Sequence, residues 1–463
     1  MRFSVSFTAI AVLLGLSLDL PARADEQATP PSPPTAQEVQ ELRREIQELR
    51  EQIGLLRSQV AALKATPAQV LSPDAPPQPP AAYQPPAEAA TQPSSSPAAP
   101  TRSQNLMNPA ISAVFQMIGG TSVSHENDQT NRFDLSEAEI AFQSVVDPYA
   151  KVDMFLTFPS EGSPEVEEGY LTTLALPKSL QLKAGRFKSA FGKWNTLHNH
   201  AFFTVDRPKA LTNFFGEESL TDDGLSLSFL VPNPWNMYVE SVTEIGTPTG
   251  GEGFNSERRS LLYLERLSGS FTTTLNSTFE VGLSAARGRT GPSDALGQAL
   301  AGCGAACLSL QPRDELVSAV EGIDLTYKWK PLRLNVYRSF LWQNELLRSH
   351  RDLDIFDAAA PGLVSGSVSS LGGYSYIEWQ LRKRWRIGAR YDLSGFPDDR
   401  TARESAGSAV VRFQPSEFQE LRLQFTHTMR NSGAAARFDG EENDNQVFFE
   451  WIPVIGAHGA HKY

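Results

Sequence analysis

A two-residue alternation of apolar and polar side chains runs from Asn108 to the C-terminus, and it restricts the fold more than any other feature. Between Trp385 and Leu393, apolar residues occupy every second position, with arginine, glycine and aspartate between them. Successive side chains of a strand point to opposite faces, so such a segment has one apolar and one polar face. Residues 105–463 accommodate about sixteen segments of this kind, allowing for soft boundaries.

Strands with one apolar and one polar face are typical of a closed barrel that has lipid outside and water inside. We therefore predict an all-β transmembrane barrel of the porin type, with about 16 antiparallel strands, over residues 105–463. The alternative is a secreted β-sandwich or β-helix. The sequence shows no short internal repeat for a β-helix, and a sandwich would not need inward arginines on many strands.

The connections and the aromatic residues fit this barrel. Long connections are expected around residues 246–257, 287–314, 344–371 and 433–443, and a strand is expected from Leu332 to Trp342. Tryptophans near strand ends are expected to form interfacial girdles. They are Trp235, Trp329, Trp342, Trp379, Trp385 and Trp451.

The N-terminus predicts export. Arg2, the apolar stretch 3–18 and the small residues Ala22 and Ala24 are typical of a signal peptide over residues 1–24. The alternative, a membrane anchor, is disfavoured because the apolar stretch is short and lacks a stop-transfer flank. A short linker is expected over residues 25–36.

Residues 37–64 predict an N-terminal α-helical coiled coil, because apolar residues recur at the a and d positions of four heptads. The a positions are Val39, Ile46, Ile53 and Val60, and the d positions are Leu42, Leu49, Leu56 and Leu63. The alternative is an amphipathic helix docked on the protein's own body. Residues 65–104 are rich in proline, alanine, glutamine and serine and predict a disordered, extended linker.

The net charge, the cysteines and the absence of catalytic motifs limit the binding partners and activities to be expected. The net charge of −12 argues against a nucleic-acid partner. Cys303 and Cys307 are expected to form one local disulfide in an oxidising compartment. No cofactor is predicted. The sequence contains no nucleophile elbow, no phosphate-cradling glycine loop and no HExxH motif, so an enzyme is not expected.

If the apolar face of each strand points outward, two sets of charged residues point into the lumen. The late strands supply a basic wall of Arg333, Arg382, Arg386, Arg390, Arg412 and Arg422. The early strands supply an acidic wall of Glu137, Glu139, Asp153, Glu240 and Glu244. Opposed walls would select solutes by charge and size. The alternative is that these charges pair with one another, and Glu378 and Asp392 lie among the arginines.

The segment from Lys183 to Gly224 does not alternate cleanly and is rich in aromatic residues. One interpretation is a loop that folds into the barrel as a constriction. The candidate constriction residues are Lys183, Arg186, Lys188 and Lys193. His198 and His200, helped by Asp206, are the nearest candidates for metal ligands. Two histidines alone bind metals loosely, so no metal site is predicted.

Several motifs resemble a known family. Gly185-Arg186-Phe187-Lys188 followed by Phe191-Gly192 resembles the strand-and-loop element of the phosphate-selective porins O and P. Residues 147–149, 197–200, 215–218, 223–225 and 451–461 look like a related branch often labelled zinc-regulated TonB-dependent outer membrane receptor. The resemblance implies a sixteen-stranded, trimeric outer-membrane channel. The chain departs from the family in lacking a dense lysine cluster, and from the receptor label in lacking room for a plug domain and about 22 strands.

The expected function is passive diffusion of small hydrophilic solutes, anions among them, through the outer membrane of a Gram-negative bacterium. The coiled coil is expected in the periplasm. Expected partners are membrane lipid, lipopolysaccharide, the solutes and two further copies of the chain in a homotrimer. The alternatives are a plugged barrel that acts as a receptor or envelope tether, and a metal-uptake component.

Overall fold

The computed structural model describes residues 109–122, 131–235, 237–250, 252–256, 260–303, 307, 310–333, 336–357 and 362–456. The predicted signal peptide, the linker 25–36, the coiled coil 37–64 and the proline-rich linker 65–104 lie outside these residues. Among the described residues, no helix is long and apolar enough to cross a membrane.

Sixteen strands form one closed antiparallel sheet, which confirms the predicted barrel. The strands are β1 (Ala110–Ser122), β2 (Arg132–Asp147), β3 (Ala150–Pro159), β4 (Glu165–Thr173), β5 (Leu180–Lys188), β6 (Thr221–Leu230), β7 (Tyr238–Gly250), β8 (Leu262–Thr274), β9 (Ser277–Thr290), β10 (Leu316–Trp329), β11 (Phe340–Asp357), β12 (Gly362–Arg382), β13 (Trp385–Phe396), β14 (Asp399–Ser416), β15 (Gln419–Arg430) and β16 (Asn443–Gly456). Each strand pairs with its neighbours in sequence, and β1 pairs with β16 to close the ring.

Within the described residues, three short α-helices lie in the connections between strands. They are α1 (Lys209–Phe215), α2 (Asp294–Cys303) and α3 (Ser432–Ala435). One end of the barrel carries mostly short turns, such as the connection between Arg382 and Trp385, and the other end carries the three helices. Cys303, at the end of α2, is joined to Cys307 by a disulfide.

The strand alternation places apolar side chains on the outside of the barrel. In β13, Ile387, Tyr391 and Leu393 are exposed, whereas Arg390 and Asp392 between them are buried. A polar interior and an apolar exterior are what a barrel in lipid requires. The wall therefore follows the pattern that was visible in the sequence.

Aromatic residues cluster at the short-turn end of neighbouring strands. Trp329 stacks on Trp379 with ring centres 5.7 Å apart, and Phe340 lies 5.8 Å from the same Trp379 ring. Trp385 and Phe413 lie 4.4 Å apart on β13 and β14. Amphipathic aromatic rings favour the boundary between lipid and water, so this belt marks one membrane interface.

Two expected features of the sheet are wrong. The strand expected from Leu332 begins only at Phe340, because Pro331 has no backbone donor for the ladder and ends the preceding strand region. The long connection expected over 344–371 is mostly strand, since β11 and β12 pair in register from Phe340 with Trp379 to Asp357 with Gly362. Small and polar residues in this region interrupt the apolar alternation, so the long hairpin of β11 and β12 was not recognised in the sequence.

The connection between β5 and β6 folds into the barrel and is here called the infolded segment (residues 189–220). Its two ends meet at the wall: Lys188 pairs with Thr221, and Ser189 N–H donates to Leu220 O at 2.8 Å. The Asn195 side chain donates to Ser189 O and Leu220 O at 2.8 and 2.9 Å, which closes the neck of the segment. The segment therefore leaves the wall and returns to it at a single point.

Gly185, just before this neck, has a φ of +134° that only glycine adopts without strain. A Cβ at Gly185 would also overlap Gly169 O on β4. We expect Gly185→Ala to lower the free energy of unfolding by about 1–3 kcal/mol, measured by urea unfolding in detergent micelles. Gly407→Ala is the control, because its Cβ would enter open space. Equal stability of the two variants would contradict the strain argument.

Candidate functional site

The infolded segment carries a dry aromatic core into the lumen. Phe191, Trp194, Phe214 and Phe215 are at most 1% exposed. They belong to one apolar cluster with inward residues of β8 to β12 and β14. The strand members of that cluster are Leu262, Leu264, Ala286, Val320, Leu347, Tyr374, Tyr376 and Val410. Burying each large side chain contributes about 1.5–3 kcal/mol, so the segment is held firmly against this half of the wall.

Arg390 on β13 anchors the far part of the segment. Its guanidinium donates to Asp206 O at 2.7 Å and to Asp206 Oδ2 at 2.8 Å. The same group donates to Asp392 Oδ2 at 2.7 Å. Arg422 on β15 donates to His200 O at 2.8 Å, and Gln424 Oε1 accepts from Val205 N–H at 2.7 Å. The late strands therefore hold the segment through buried polar bonds.

Three further strands hold the part of the segment that follows the neck. Glu345 on β11 accepts from the backbone N–H groups of Lys193 and Trp194, both at 2.9 Å. Ser284 on β9 accepts from Gly192 N–H at 3.1 Å, and Glu244 on β7 accepts from Ala190 N–H at 2.9 Å. The segment thus crosses the lumen with bonds to strands on opposite sides of the ring.

A cluster of carboxylates surrounds His198 where the segment meets β2 and β4. His198 Nδ1 lies 2.8 Å from Glu139 Oε2 and 3.2 Å from Glu167 Oε2, and Nε2 lies 3.1 Å from Glu168 Oε2. Lys188 Nζ pairs with Glu167 Oε1 at 2.7 Å and donates to Leu197 O at 3.0 Å. All five side chains are mostly or fully buried.

Next to it, Glu137 and His200 extend the same cluster. His200 Nδ1 lies 3.7 Å from Glu139 Oε2, and the Asn199 amide donates to Glu137 Oε2 at 2.8 Å. The two imidazole rings stack with centres 5.7 Å apart. The histidine pair predicted from the sequence is therefore brought together with carboxylates, although Asp206, expected as its helper, pairs with Arg390 instead.

The negative charge of the cluster raises the pKa of His198. Burial lowers the pKa of this imidazole, and the ammonium of Lys188 lowers it further. The carboxylates of Glu167 and Glu139 outweigh both effects, and the pKa of His198 lies well above its usual value. The site has a strongly negative local potential that favours a cation.

Four of the six predicted wall arginines face the lumen, and all four lie close to carboxylates. Arg412 pairs with Glu378 and Glu420, both at 2.7 Å, and Arg422 pairs with Glu420 at 2.7 Å and Glu450 at 2.8 Å. Arg390 pairs with Asp206 and Asp392, and Arg386 lies 3.6 Å from Glu378. The basic wall is therefore a neutralised ladder, which is the alternative that Glu378 and Asp392 suggested.

Arg333 and Arg382 do not belong to this wall, so their predicted placement is wrong. Arg333 lies in the exposed connection after β10, because β10 ends at Trp329. Arg382 is exposed at the last position of β12, where a register shift pairs it with Trp385. The shift turns its side chain away from the lumen.

The predicted acidic-wall residues lie on the inward face of the strands, whereas the candidate constriction residues are split between β5 and the infolded segment. Glu137, Glu139, Asp153 and Glu244 are buried on the inward face, and Glu240 is half-buried. Lys183, Arg186 and Lys188 lie on β5 and only Lys193 lies on the infolded segment. Arg186 makes a bidentate pair with Asp223 at 2.7 and 3.0 Å, while Lys193 pairs with Glu280.

Two polar cavities flank the segment on the early-strand side of the lumen. One has a volume of about 420 Å³ and is lined by Glu137, Glu167, Asp206 and Glu217, among others. The other, about 550 Å³, is lined by Asp153, Lys183, Lys193, His198 and Glu240, among others. Lys188 lines both cavities. The boundary between them therefore lies at the cluster around His198.

Several site residues escaped the sequence reasoning. Glu167, Glu168, Glu345, Glu420 and Glu450 all hold or neutralise a functional side chain. Two signals were available: the acidic stretch from Glu165 to Glu168 begins β4, and Glu420 is two positions from Arg422 on one strand face. Neither signal predicts which side chain each of these glutamates contacts.

Comparison with known proteins supports the fold class. No family model matches the chain. A protein of Aquifex aeolicus (strain VF5), described as an uncharacterized protein, is 28% identical over 382 residues, which cover 76% of this chain and 74% of that protein. The anion-selective porin from Comamonas acidovorans superposes with a TM-score of 0.50 at 8% identity, over 75% of this chain and 99% of that chain.

Two further solved structures are similar at a lower TM-score. The outer membrane channel DcaP of Acinetobacter baumannii gives 0.46 at 11% identity, over 75% of this chain and 97% of that chain. Outer-membrane expressed OmpT of Vibrio cholerae gives 0.46 at 8% identity, with the same coverage. The closed ring of sixteen strands and the likeness to the anion-selective porin define a porin-type barrel, and at 8% identity that likeness concerns the fold alone.

Proposed function

We propose that the protein is an outer-membrane porin through which small hydrophilic solutes diffuse passively. The observation that carries this proposal is the closed barrel with polar cavities on both sides of the infolded segment. Water-filled lumens of this kind are typical of sixteen-stranded barrels. The apolar exterior and the aromatic belt support a location in the outer membrane.

The passage for solutes runs along the early strands, because the aromatic core fills the side of the lumen next to β8 to β12 and β14. Within the cavity of about 420 Å³, five carboxylates besides Asp206, which pairs with Arg390, face three basic side chains. The carboxylates are those of Glu137, Glu165, Glu167, Glu217 and Glu218, and the basic groups are Arg186, Lys188 and Arg207. We therefore propose a preference for cations over anions, since the arginine ladder on the late strands is neutralised by its own carboxylates.

The test is the reversal potential of single channels of the mature protein in a planar bilayer under a potassium chloride gradient. We expect stable steps and a reversal potential of the sign that potassium permeation gives. The variant Glu217→Lys/Glu218→Lys, at two exposed positions of that cavity, should shift the reversal potential toward chloride. The control Glu417→Lys lies in the exposed turn between β14 and β15 and should leave it unchanged.

Two outcomes would contradict the proposal. A chloride-selective wild-type channel would show that the lumen arginines, and not the carboxylates, determine the ion selectivity. Folded, inserted protein without any conductance would remove the diffusion function. The homotrimer is also a proposal, and conductance steps that occur in threes would support it.

The second candidate is a plugged barrel that serves as a receptor or envelope tether. The observation that favours it is the infolded segment itself, which bonds to strands around the ring and fills part of the lumen with aromatic side chains. The coiled coil expected over residues 37–64 would then supply the connection to the periplasm. The conductance measurement separates the two candidates.

A further inference from the structure

The cluster around Glu139 has more buried negative charge than its neighbours neutralise. Its four carboxylates belong to Glu137, Glu139, Glu167 and Glu168 on β2 and β4. In the part of the chain that the structure describes, the ion pair that these carboxylates make with lysine or arginine is that of Glu167 with Lys188. The ammonium group of Lys188 thus faces a set of four carboxyl groups. Buried charge of this kind requires a further cation or protons.

Glu139 lies at the centre of the cluster and has spare ligand capacity. Its side chain is 1% exposed, and within the described residues neither of its carboxylate oxygens accepts a hydrogen bond of good geometry. Oε2 points at the histidines, 2.8 Å from His198 Nδ1 and 3.7 Å from His200 Nδ1. Oε1 accepts no hydrogen bond within the described residues, and a buried carboxylate oxygen of this kind is rare and indicates a missing partner, such as an ion.

Two sets of three donor atoms share Glu139. Glu139, Glu167 and His198 form one set, and Glu137, Glu139 and His200 form the other, with the donor atoms of each set within 4.8 Å of one another. Metal–ligand bonds of about 2.0–2.2 Å place neighbouring donors about 3–3.5 Å apart. The observed spacing needs only a small contraction around an ion.

We propose that Glu139, with His198 and Glu167 on one side and His200 and Glu137 on the other, binds a divalent transition-metal ion. Imidazole nitrogen combined with carboxylate oxygen suits Zn²⁺ or Mn²⁺, whereas Mg²⁺ prefers a shell of oxygen and water. The proposal does not depend on solute diffusion, because the site is formed by the wall and the segment whether or not the lumen conducts.

The location gives the ion a structural effect. His198 and His200 belong to the infolded segment, whereas the glutamates belong to β2 and β4. A bound ion would therefore join the segment to the early-strand wall at the boundary of the two cavities. The late-strand side is already held by Arg390 and Arg422.

The test is calorimetric titration of the full-length, EDTA-treated protein in detergent micelles with Zn²⁺, and separately with Mn²⁺ and Mg²⁺. We expect saturable binding of Zn²⁺ or Mn²⁺ and at least about tenfold weaker binding of Mg²⁺. Glu139→Gln and His198→Gln should each lower the affinity at least about tenfold. Far-UV circular dichroism checks that each variant is folded.

Two matched controls use other histidines of the chain. His350→Gln removes an exposed histidine that bonds Ser369 on the outer wall, and it should bind the metal as the wild type does. His458→Gln/His461→Gln removes the C-terminal histidine pair, and it should also leave the affinity unchanged.

Absence of saturable binding to the folded, EDTA-treated wild type would overturn the proposal. So would a loss of binding in the C-terminal variant, or equal affinity for Mg²⁺. If Glu139→Gln does not fold, His198→Gln decides alone, because it retains the wall and removes one imidazole donor.

Discussion

Removing the infolded segment is expected to raise the single-channel conductance several-fold. Ser189 and Leu220 are hydrogen-bonded neighbours across β5 and β6, so an Asn-Gly turn can replace residues 190–219 and join the strands directly. The barrel wall would remain closed, since none of the sixteen strands loses a residue. The aromatic side chains that fill the lumen leave with the segment, and the conducting cross-section widens.

The measurement is single-channel conductance in a planar bilayer, beside the unmodified protein in the same salt. Wall groups such as Glu345 and Arg390 would face water after the deletion and would not become buried without partners. A shortened loop in the connection between β9 and β10 is the matched control, because Arg313 in that connection pairs with Asp354 near the end of β11. Unchanged conductance in the folded deletion variant would show that the segment does not limit the passage.

Replacing Arg390 by methionine is expected to lower the free energy of unfolding by about 3–5 kcal/mol. The guanidinium is fully buried between the carboxylates of Asp206 and Asp392, at 2.8 and 2.7 Å. Methionine keeps most of the volume but leaves the buried carboxylate of Asp392 and the partly exposed carboxylate of Asp206 without their cation. Removing one partner of a buried ion pair is among the most destabilising single changes.

Urea unfolding in micelles measures this effect, with Arg382→Met as the matched control. Arg382 is exposed at the end of β12, so its replacement should change the free energy of unfolding by no more than about 0.5 kcal/mol. The triple variant Arg390→Met/Asp206→Asn/Asp392→Asn should recover part of the loss, because the amides carry no charge. Equal stability of the two arginine variants would mean that water enters and compensates for the lost pair.

The barrel wall was predictable from the sequence because, in a strand with one apolar and one polar face, the alternation of residue types shows which face each side chain occupies. In β13 the alternation from Trp385 to Leu393 assigns every side chain to the correct face. The pattern fails where polar or small residues face both ways, as in the upper parts of β11 and β12. There the strands extend beyond the region where one face needs apolar residues.

The site was less predictable because its contacts join residues far apart in sequence. Lys188 and the histidines were recognised as unusual, but their partners on β2 and β4 depend on how the segment bends inside the ring. Likewise, the neutralisation of Arg412 by Glu378 and Glu420 depends on strand register and on side chains meeting across three strands. Alternation specifies a face and leaves the partner open.

The bonds between the infolded segment and the late strands also impose an order of assembly. Asp206 bonds to Arg390 across 184 positions, and His200 bonds to Arg422 across 222. Contacts this distant in sequence form late, since the intervening chain must first be arranged. The segment can reach its final position only when β13 to β15 have joined the ring, so its docking reports completion of the barrel. A chain that stops before those strands would keep the apolar surface of β8 to β12 but would lack the bonds that hold Asp206, His200 and Val205 in place.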